Sequence, residues 1–289
     1  MDGEWVSDGP TTPCSPGRSP LATGLKPASR YVTIPPILTH PTPEAVNPNI
    51  FIPFLLLVFL VPRLAAGADP ILIPAAPEIG AKAYILEDAN SGRVLAENNA
   101  DQRLEPASLT KIMTAFVVFT ELAKGNLKPT DMVTVSEKAW RTEGSRMFAQ
   151  VGAKIAVEHL LKGMIVQSGN DASVALAEHI GGDESVFVQM MNRSAEQLGM
   201  KDTHYRNSMG LPDPDHYTTA RDMAILTRTM IERFPEYYKW HSIKEFEFNG
   251  IKQTNRNRLL WRDPSVDGVK TGHTDSAGYC LVSLSLIHI

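Results

Sequence analysis

A serine and a lysine three residues apart, Ser108 and Lys111, have the side-chain types needed for nucleophilic chemistry. Pro106 and Ala107 precede the serine and an apolar run follows it, so we expect a helix to begin at or near Ser108. Residues three apart share one face of a helix, which brings the amine close to the hydroxyl. Burial in this apolar helix would lower the lysine pKa, and a neutral amine can accept the serine proton. A capping serine with a solvent-reaching lysine is the non-catalytic interpretation.

A second polar motif, Ser168-Gly169-Asn170, lies between two predicted helices, Val157–Val166 and Asp171–His179. A hydroxyl and an amide on a loop beside a cleft can relay a proton and hold a peptide carbonyl. Because Ser and Asn are also common helix caps, a purely structural interpretation stays open for this motif alone.

A third motif, Lys270-Thr271-Gly272, ends a predicted strand, Val266–Lys270. Lysine and threonine can bind a carboxylate through charge and a hydroxyl hydrogen bond. Glycine allows close approach of a substrate to the strand because it has no Cβ atom. A lysine at this position would lower the Lys111 pKa further if the two lie close together. An ordinary boundary between a strand and a turn is the alternative.

The elements that must position these motifs follow from apolar periodicity and turn residues. Runs at 83–88 and 93–98 around Asn90-Ser91-Gly92 predict a β-hairpin, and runs at 266–270 and 279–284 predict a second strand pair. Between them we predict helices at 108–123 (ended by Gly125), Val157–Val166, Asp171–His179, Glu184–Leu198 and Thr219–Arg233.

Strands at both ends around a helical middle predict an α+β fold. We expect an antiparallel sheet built from both chain ends, flanked by helices, with an inserted all-helical lobe. The cleft between two such lobes is a natural ligand site.

The first 68 residues differ in composition from the remainder. Residues 1–49 contain ten of the 21 prolines and lack apolar periodicity, which predicts a disordered or upstream extension. Residues 50–68 combine a short apolar run with the small residues Ala66-Gly67-Ala68, as in a secretory signal with cleavage before Asp69. A buried apolar segment is the alternative, because no Lys or Arg lies between Arg30 and Arg63. We expect residues 69–289 to form the domain that carries the three motifs.

Composition excludes some functional classes. A chain of 289 residues with a hydrophobic fraction of 43% can bury a core, and a net charge of −4 argues against non-specific nucleic-acid binding. Its two cysteines, Cys14 and Cys280, lie at opposite ends, and its eight histidines are scattered. We therefore predict no disulfide framework, no metal site and no nucleic-acid partner.

The order of the motifs, SxxK then SGN then KTG, resembles the serine β-lactamase and penicillin-binding protein superfamily. Longer segments are similar to its low-molecular-weight D-alanyl-D-alanine carboxypeptidases, over roughly residues 79–284. These segments are PASLTKIMT, QSGNDASVALAEHIGG, TARDMA, NRNRLLW and VDGVKTGHTDSAGY. The resemblance implies a β-lactamase/transpeptidase-like fold that needs neither a metal nor an organic cofactor.

The resemblance also implies a role for each motif residue. Ser108 attacks the bond between the two terminal D-alanines of a peptidoglycan stem peptide, and Lys111 accepts its proton. Ser168 and Lys270 pass a proton to the departing D-Ala amine. β-Lactam antibiotics acylate the same serine. The substrate-binding residues that it implies are Asn170, Lys270, Thr271, Gly272 and His273, the last through its backbone N–H together with that of Ser108.

Location and extent follow from the same resemblance. It implies an exported, periplasmic or extracytoplasmic enzyme at the outer face of the bacterial inner membrane. Membrane association would come only through the signal segment or a missing C-terminal anchor. The family sheet continues beyond the strand at Tyr279, and the tail at 284–289 departs from the family pattern. We therefore expect a C-terminally truncated domain with an incomplete sheet, which leaves an unpaired edge.

Three other functions remain open from the sequence. A class A-like β-lactamase needs a carboxylate in an E-x-x-x-N context, yet Glu196 has Met200 four residues on. A penicillin-binding fragment without turnover would keep the acylation step alone. An endopeptidase acting on D-Ala–diaminopimelate cross-links would use the same chemistry.

Overall fold

The computed structural model describes residues 78–285. The predicted extension at 1–49 and signal segment at 50–68 lie outside this range. The strands are β1 Tyr84–Glu87, β2 Val94–Asn98, β3 Met132–Thr134, β4 Lys154–Ala156, β5 Glu245–Phe248, β6 Ile251–Thr254, β7 Val266–Thr274 and β8 Gly278–Ser285. The α-helices are α1 Thr110–Ala123, α2 Glu137–Arg141, α3 Val157–Val166, α4 Asn170–Gly181, α5 Glu184–Leu198, α6 Ala220–Arg233, α7 Pro235–Tyr238 and α8 Leu259–Arg262.

Helix α1 is the central element of the helical lobe. Eleven of its 14 residues are buried, and it packs against α3, α4, α5 and α6. A helix that is apolar on nearly every side needs such neighbours all round it. The prediction of a helix at 108–123 is confirmed from Thr110 onward, whereas Ala107–Leu109 form a 3-10 turn that leads into it. Gly125, with φ +77°, follows the end of the helix as predicted.

The predicted helices around α1 are confirmed with small changes of boundary. The predicted bounds of α3 and α5 are the observed ones, and α4 is longer than predicted at both ends. Thr219 lies outside α6 because its side chain caps the helix, accepting a hydrogen bond from the Asp222 N–H at 3.1 Å. The short strands β3 to β6 were not predicted.

Both predicted strand pairs are antiparallel hairpins. The turn of the first is fixed by the Asp88 carboxylate, which accepts from the N–H groups of Asn90 and Ser91 at 3.0 and 2.8 Å. The second differs from the prediction, because β7 continues past Lys270 to Thr274. The Lys270-Thr271-Gly272 motif therefore lies inside a strand, where it pairs with residues 280–282 of β8.

The α+β class and the helical lobe are confirmed, but the hairpins do not join into one sheet. Within residues 78–285, β1–β2, β3–β4, β5–β6 and β7–β8 each form a separate two-stranded sheet. Short loops close the β1–β2, β5–β6 and β7–β8 hairpins at little entropic cost, whereas residues 135–153 connect β3 to β4. Pairing strands from opposite ends of the chain depends on a long-range contact between their edges. In the same part of the chain, no helix combines the length and hydropathy needed to cross a bilayer.

Candidate active site

The first predicted pair lies together at the start of α1. The Nζ atom of Lys111 is 3.1 Å from the Oγ atom of Ser108, one helical turn away. Ser108 is half-buried, while Lys111 is only 2% exposed. Ala107, directly before the serine, has φ +46°, a conformation that non-glycine residues seldom adopt. The backbone at Ala107 is therefore slightly strained in the conformation that places the Ser108 hydroxyl beside the Lys111 amine.

Two further oxygens surround the Lys111 amine. Its Nζ atom donates to Oδ1 of Asn170 at 2.7 Å and to the backbone carbonyl of Met209 at 2.6 Å. The first contact joins two of the predicted motifs. The second was missed from the sequence, because a backbone carbonyl carries no residue-type signal.

The amine is held in a setting that disfavours its charge. Burial lowers the pKa of Lys111 well below its ordinary value, and the positive charges of Lys270 and Arg256 lower it further, while Asp171 opposes them. Burial and the Arg256 charge lower the pKa of Lys270 to about 7. These effects favour the neutral form of Lys111, the state in which an amine can act as a base.

The side chain of Asn170 has a fixed orientation. Its Nδ2 group donates to the carbonyl of Glu143 at 2.5 Å, and its backbone N–H donates to the carbonyl of Ser145 at 2.7 Å. Since a carbonyl only accepts, the amide nitrogen must face Glu143 and the amide oxygen must face Lys111. Gly144 permits this approach, because a Cβ atom there would lie 2.7 Å from the amide nitrogen.

Ser168 lies on the three-residue connection between α3 and α4. It has φ +65° and is 2% exposed, and its Oγ atom has no hydrogen-bond partner among the described residues. A buried hydroxyl without a hydrogen-bond partner destabilises the fold, and a bound ligand or water can supply the missing hydrogen bond. The Nε atom of Arg256 donates to the carbonyl of Gln167 at 3.0 Å and ties this connection to the residues after β6.

Strand β7 lies against the serine turn. A Cβ atom on Gly272 would be 3.1 Å from the Ser108 backbone nitrogen and 3.2 Å from the Pro106 carbonyl oxygen. Glycine therefore favours this close approach, since a Cβ atom would force its neighbours to move by a few tenths of an ångström. Lys270 is buried and donates to the Thr271 carbonyl at 2.8 Å. His273 follows at the exposed end of the strand, where its ring centroid lies 4.3 Å from that of Tyr279.

The three motifs predicted from the sequence therefore meet in one place. Ser108, Lys111 and Asn170 are joined by hydrogen bonds, and Gly272 contacts the serine turn. Arg256 belongs to the NRNRLLW segment, but its effect on both lysines was not predicted. Among residues 78–285, no group of three His, Cys, Asp or Glu side chains could hold a metal ion. A serine hydroxyl beside an amine of lowered pKa, with a strand close by, is an arrangement suited to acyl transfer.

Comparison with known proteins agrees with the class that this fold and site define. The fold is that of penicillin-binding proteins. A crystal structure of penicillin-binding protein 5 from Haemophilus influenzae has 49% sequence identity and a TM-score of 0.72, covering 74% of this chain and 63% of that one. For penicillin-binding protein 6B from Escherichia coli the identity is 42% and the TM-score 0.71, covering 75% and 70%.

The family model described as D-alanyl-D-alanine carboxypeptidase, peptidase S11, matches residues 72–287, and the chain belongs to this family. The D-alanyl-D-alanine carboxypeptidase DacA of H. influenzae is 50% identical over 211 residues, which are 72% of this chain and 54% of that protein. DacF of Bacillus subtilis is 41% identical over 70% of this chain and 53% of its own length. The chain thus spans about half the length of these curated relatives.

Proposed function

We propose that this protein is a serine D-alanyl-D-alanine carboxypeptidase, which removes the terminal D-Ala from peptidoglycan stem pentapeptides through an acyl-enzyme on Ser108. The observation that carries this proposal is the hydrogen bonding of the Lys111 amine. Its Nζ atom has three oxygen neighbours, Ser108 Oγ, Asn170 Oδ1 and the Met209 carbonyl oxygen.

The hydrogen-bonding capacity of the Lys111 amine supports proton transfer from Ser108 to Lys111. A neutral amine has two N–H groups and one lone pair. The two carbonyl-type oxygens can only accept, so both N–H groups point at Asn170 and Met209. The lone pair is left facing the Ser108 hydroxyl, which can both donate and accept. This geometry supports a role for Lys111 as the base that accepts the Ser108 proton, and such general-base help is typically worth about 10²–10⁴ in rate.

In the first step, Ser108 Oγ bonds to the carbonyl carbon between the two D-alanines while its proton passes to Lys111. The carbonyl oxygen becomes an oxyanion, which binds between the backbone N–H groups of Ser108 and His273. Each such donor is worth about 3 kcal/mol in comparable sites. The contact between Gly272 and the Ser108 nitrogen supports this, because it brings β7 beside the nucleophile.

In the second step, the carbon–nitrogen bond breaks and D-Ala leaves after its amine gains a proton. The unpartnered Ser168 hydroxyl and Lys270 relay this proton, so Lys111 returns to its neutral state. Water then attacks the acyl-enzyme and restores Ser108. These steps need no metal and no organic cofactor.

Binding groups lie on both sides of the reacting bond. The Lys270 ammonium and Thr271 hydroxyl hold the terminal carboxylate, and Asn170 holds the acyl side of the peptide. β-Lactams carry a carboxylate and a strained amide, so they acylate the same serine. We also propose export to the periplasm or its equivalent, which rests on the apolar segment at 50–68 and its small-residue site.

The test is release of D-Ala from diacetyl-L-Lys-D-Ala-D-Ala by the purified chain, with Ser108→Ala as the matched control. We expect wild type to release D-Ala and to be labelled covalently by a fluorescent penicillin, and the variant to do neither. If Ser108→Ala keeps either property, the assignment of the nucleophile is wrong. Labelling without D-Ala release would instead identify a penicillin-binding protein without turnover, and rapid nitrocefin hydrolysis would identify a β-lactamase.

A further inference from the structure

The turn at residues 207–211 carries the Met209 carbonyl that binds the Lys111 amine. A backbone carbonyl can be held in place only by the groups that fix its turn. Resting on the function proposed above, we propose that Glu184 and Asn207 are positioning residues, which hold the Met209 carbonyl against Lys111 and so aim the amine lone pair at Ser108.

Glu184 fixes the residue directly before Met209. It is the first residue of α5 and is 8% exposed. Its Oε1 atom accepts from the backbone N–H of Ser208 at 3.1 Å and from the Ser208 hydroxyl at 2.8 Å. Its Oε2 atom forms an ion pair with Lys138 at 2.9 Å, and the lysine side chain is 53% exposed. Because Ser208 is fully buried, no water can replace these two bonds without a local opening.

Asn207 holds the backbone at and after Met209. Its Oδ1 atom accepts from three consecutive backbone N–H groups, those of Met209 at 3.3 Å, Gly210 at 2.7 Å and Leu211 at 3.1 Å. One side-chain oxygen therefore stabilises the turn by accepting three backbone hydrogen bonds, as Asn side chains commonly do in loops.

The turn is also tied to α1 and to the nucleophile. The Thr114 hydroxyl, one helical turn after Lys111, donates to the Ser208 carbonyl at 2.6 Å. Gly210 has φ +91°, and a Cβ atom there would lie 1.8 Å from the Ala107 carbonyl oxygen. A displacement of the turn would therefore reach both members of the reacting pair. Misplacement by about 1 Å can cost on the order of 100-fold in rate.

Neither Glu184 nor Asn207 touches Ser108 or Lys111 through the contacts described, so their effect must pass through Met209. Their loss should slow proton transfer without removing the nucleophile. The readout is the first-order rate constant for acylation by a saturating fluorescent penicillin. This constant describes each folded molecule, so a change that only lowers the folded fraction leaves it unchanged.

The variants separate the two partners of Glu184. Glu184→Ala removes both bonds to Ser208, and we expect acylation to slow about tenfold or more. Glu184→Gln keeps an oxygen that can accept them, and Lys138→Met removes only the ion pair, so both should acylate within about twofold of wild type. A wild-type rate for Glu184→Ala would overturn the inference. So would an equal loss in Lys138→Met, because the ion pair and not Ser208 would then be responsible.

A second pair tests the turn if Glu184→Ala does not fold. Asn207→Ala removes the shared acceptor and should slow acylation to a similar extent. Asn207→Asp retains that acceptor but loses the bond from Asn207 Nδ2 to the Leu211 carbonyl at 2.9 Å, so it should acylate faster than Asn207→Ala and more slowly than wild type. Unchanged acylation in Asn207→Ala would also overturn the inference. Peptide mapping of labelled wild type separates the two proposals: without a label on Ser108 the proposed function itself fails, whereas a label with unaffected variants removes only the positioning roles.

Discussion

Replacing Lys111 by methionine tests the central chemical argument. The substitution removes the amine and retains an unbranched side chain of similar length in a site that is 2% exposed. Among the described residues, Lys111 supplies the single side-chain hydrogen bond to Ser108 Oγ, so no neighbouring base is in place to substitute for it. We therefore expect the full contribution of general-base catalysis to be lost. That contribution is about 10²–10⁴ in the acylation rate, or roughly 3–5 kcal/mol of activation free energy.

Lys111→Arg separates a base from a simple cation. A guanidinium stays protonated throughout the accessible pH range, so it cannot accept the serine proton. We expect Lys111→Arg to lose as much as Lys111→Met if the amine acts as a base. If Lys111 only supplied positive charge to an oxyanion, the arginine variant would keep much of the activity.

The assay is stopped-flow or quenched labelling of Ser108 by a fluorescent penicillin over a range of pH. Lys124→Met is the matched control, since it makes the same substitution at the end of the same helix, where the side chain is 58% exposed and pairs with Glu121. We expect this control to acylate within about twofold of wild type, as surface ion pairs contribute little. Wild-type acylation rates in Lys111→Met at every pH would refute the reasoning.

Three further predictions follow from the site and its surroundings. Gly272→Ala places a methyl group 3.1 Å from the Ser108 nitrogen, so β7 or the serine turn must move by a few tenths of an ångström, and penicillin acylation should slow by up to about tenfold. An unchanged rate would show that this contact does not position the strand. Since the pKa of Lys270 is lowered to about 7 by burial and Arg256, kcat/KM for a peptide with a free C-terminal carboxylate should fall as pH rises through that value. A matched peptide amide should not show this fall in the same rate–pH profiles. Burial lowers the pKa of His216 from 6.5 to about 4, so the unfolded chain binds a proton that the folded chain does not, and stability present above pH 6.5 is lost as pH falls toward 4. Urea unfolding should show a loss of up to about 3 kcal/mol from this residue, and a His216→Asn variant should show a correspondingly smaller acid loss.

Patterns that are local in the sequence were sufficient to predict many of the helices and strands and to identify the three motifs. The bounds of α3 and α5 follow from apolar periodicity, and the first hairpin follows from its turn residues. The Ser108–Lys111 contact was predictable for the same reason, since two residues three apart on a helical turn are neighbours whatever the rest of the chain does.

Only the tertiary structure decided the surroundings of Lys111. Its contacts with Asn170 and Met209 join residues 59 and 98 positions apart, and one of the two acceptors is a backbone carbonyl with no sequence signature. The lowered pKa depends on which groups bury the amine and how close Lys270 comes, which periodicity cannot specify. The sequence therefore determined which groups could react, because spacing along a helix is local. Packing across long sequence separations lowered the pKa of the amine and placed it beside the hydroxyl, because burial and orientation are properties of the assembled core.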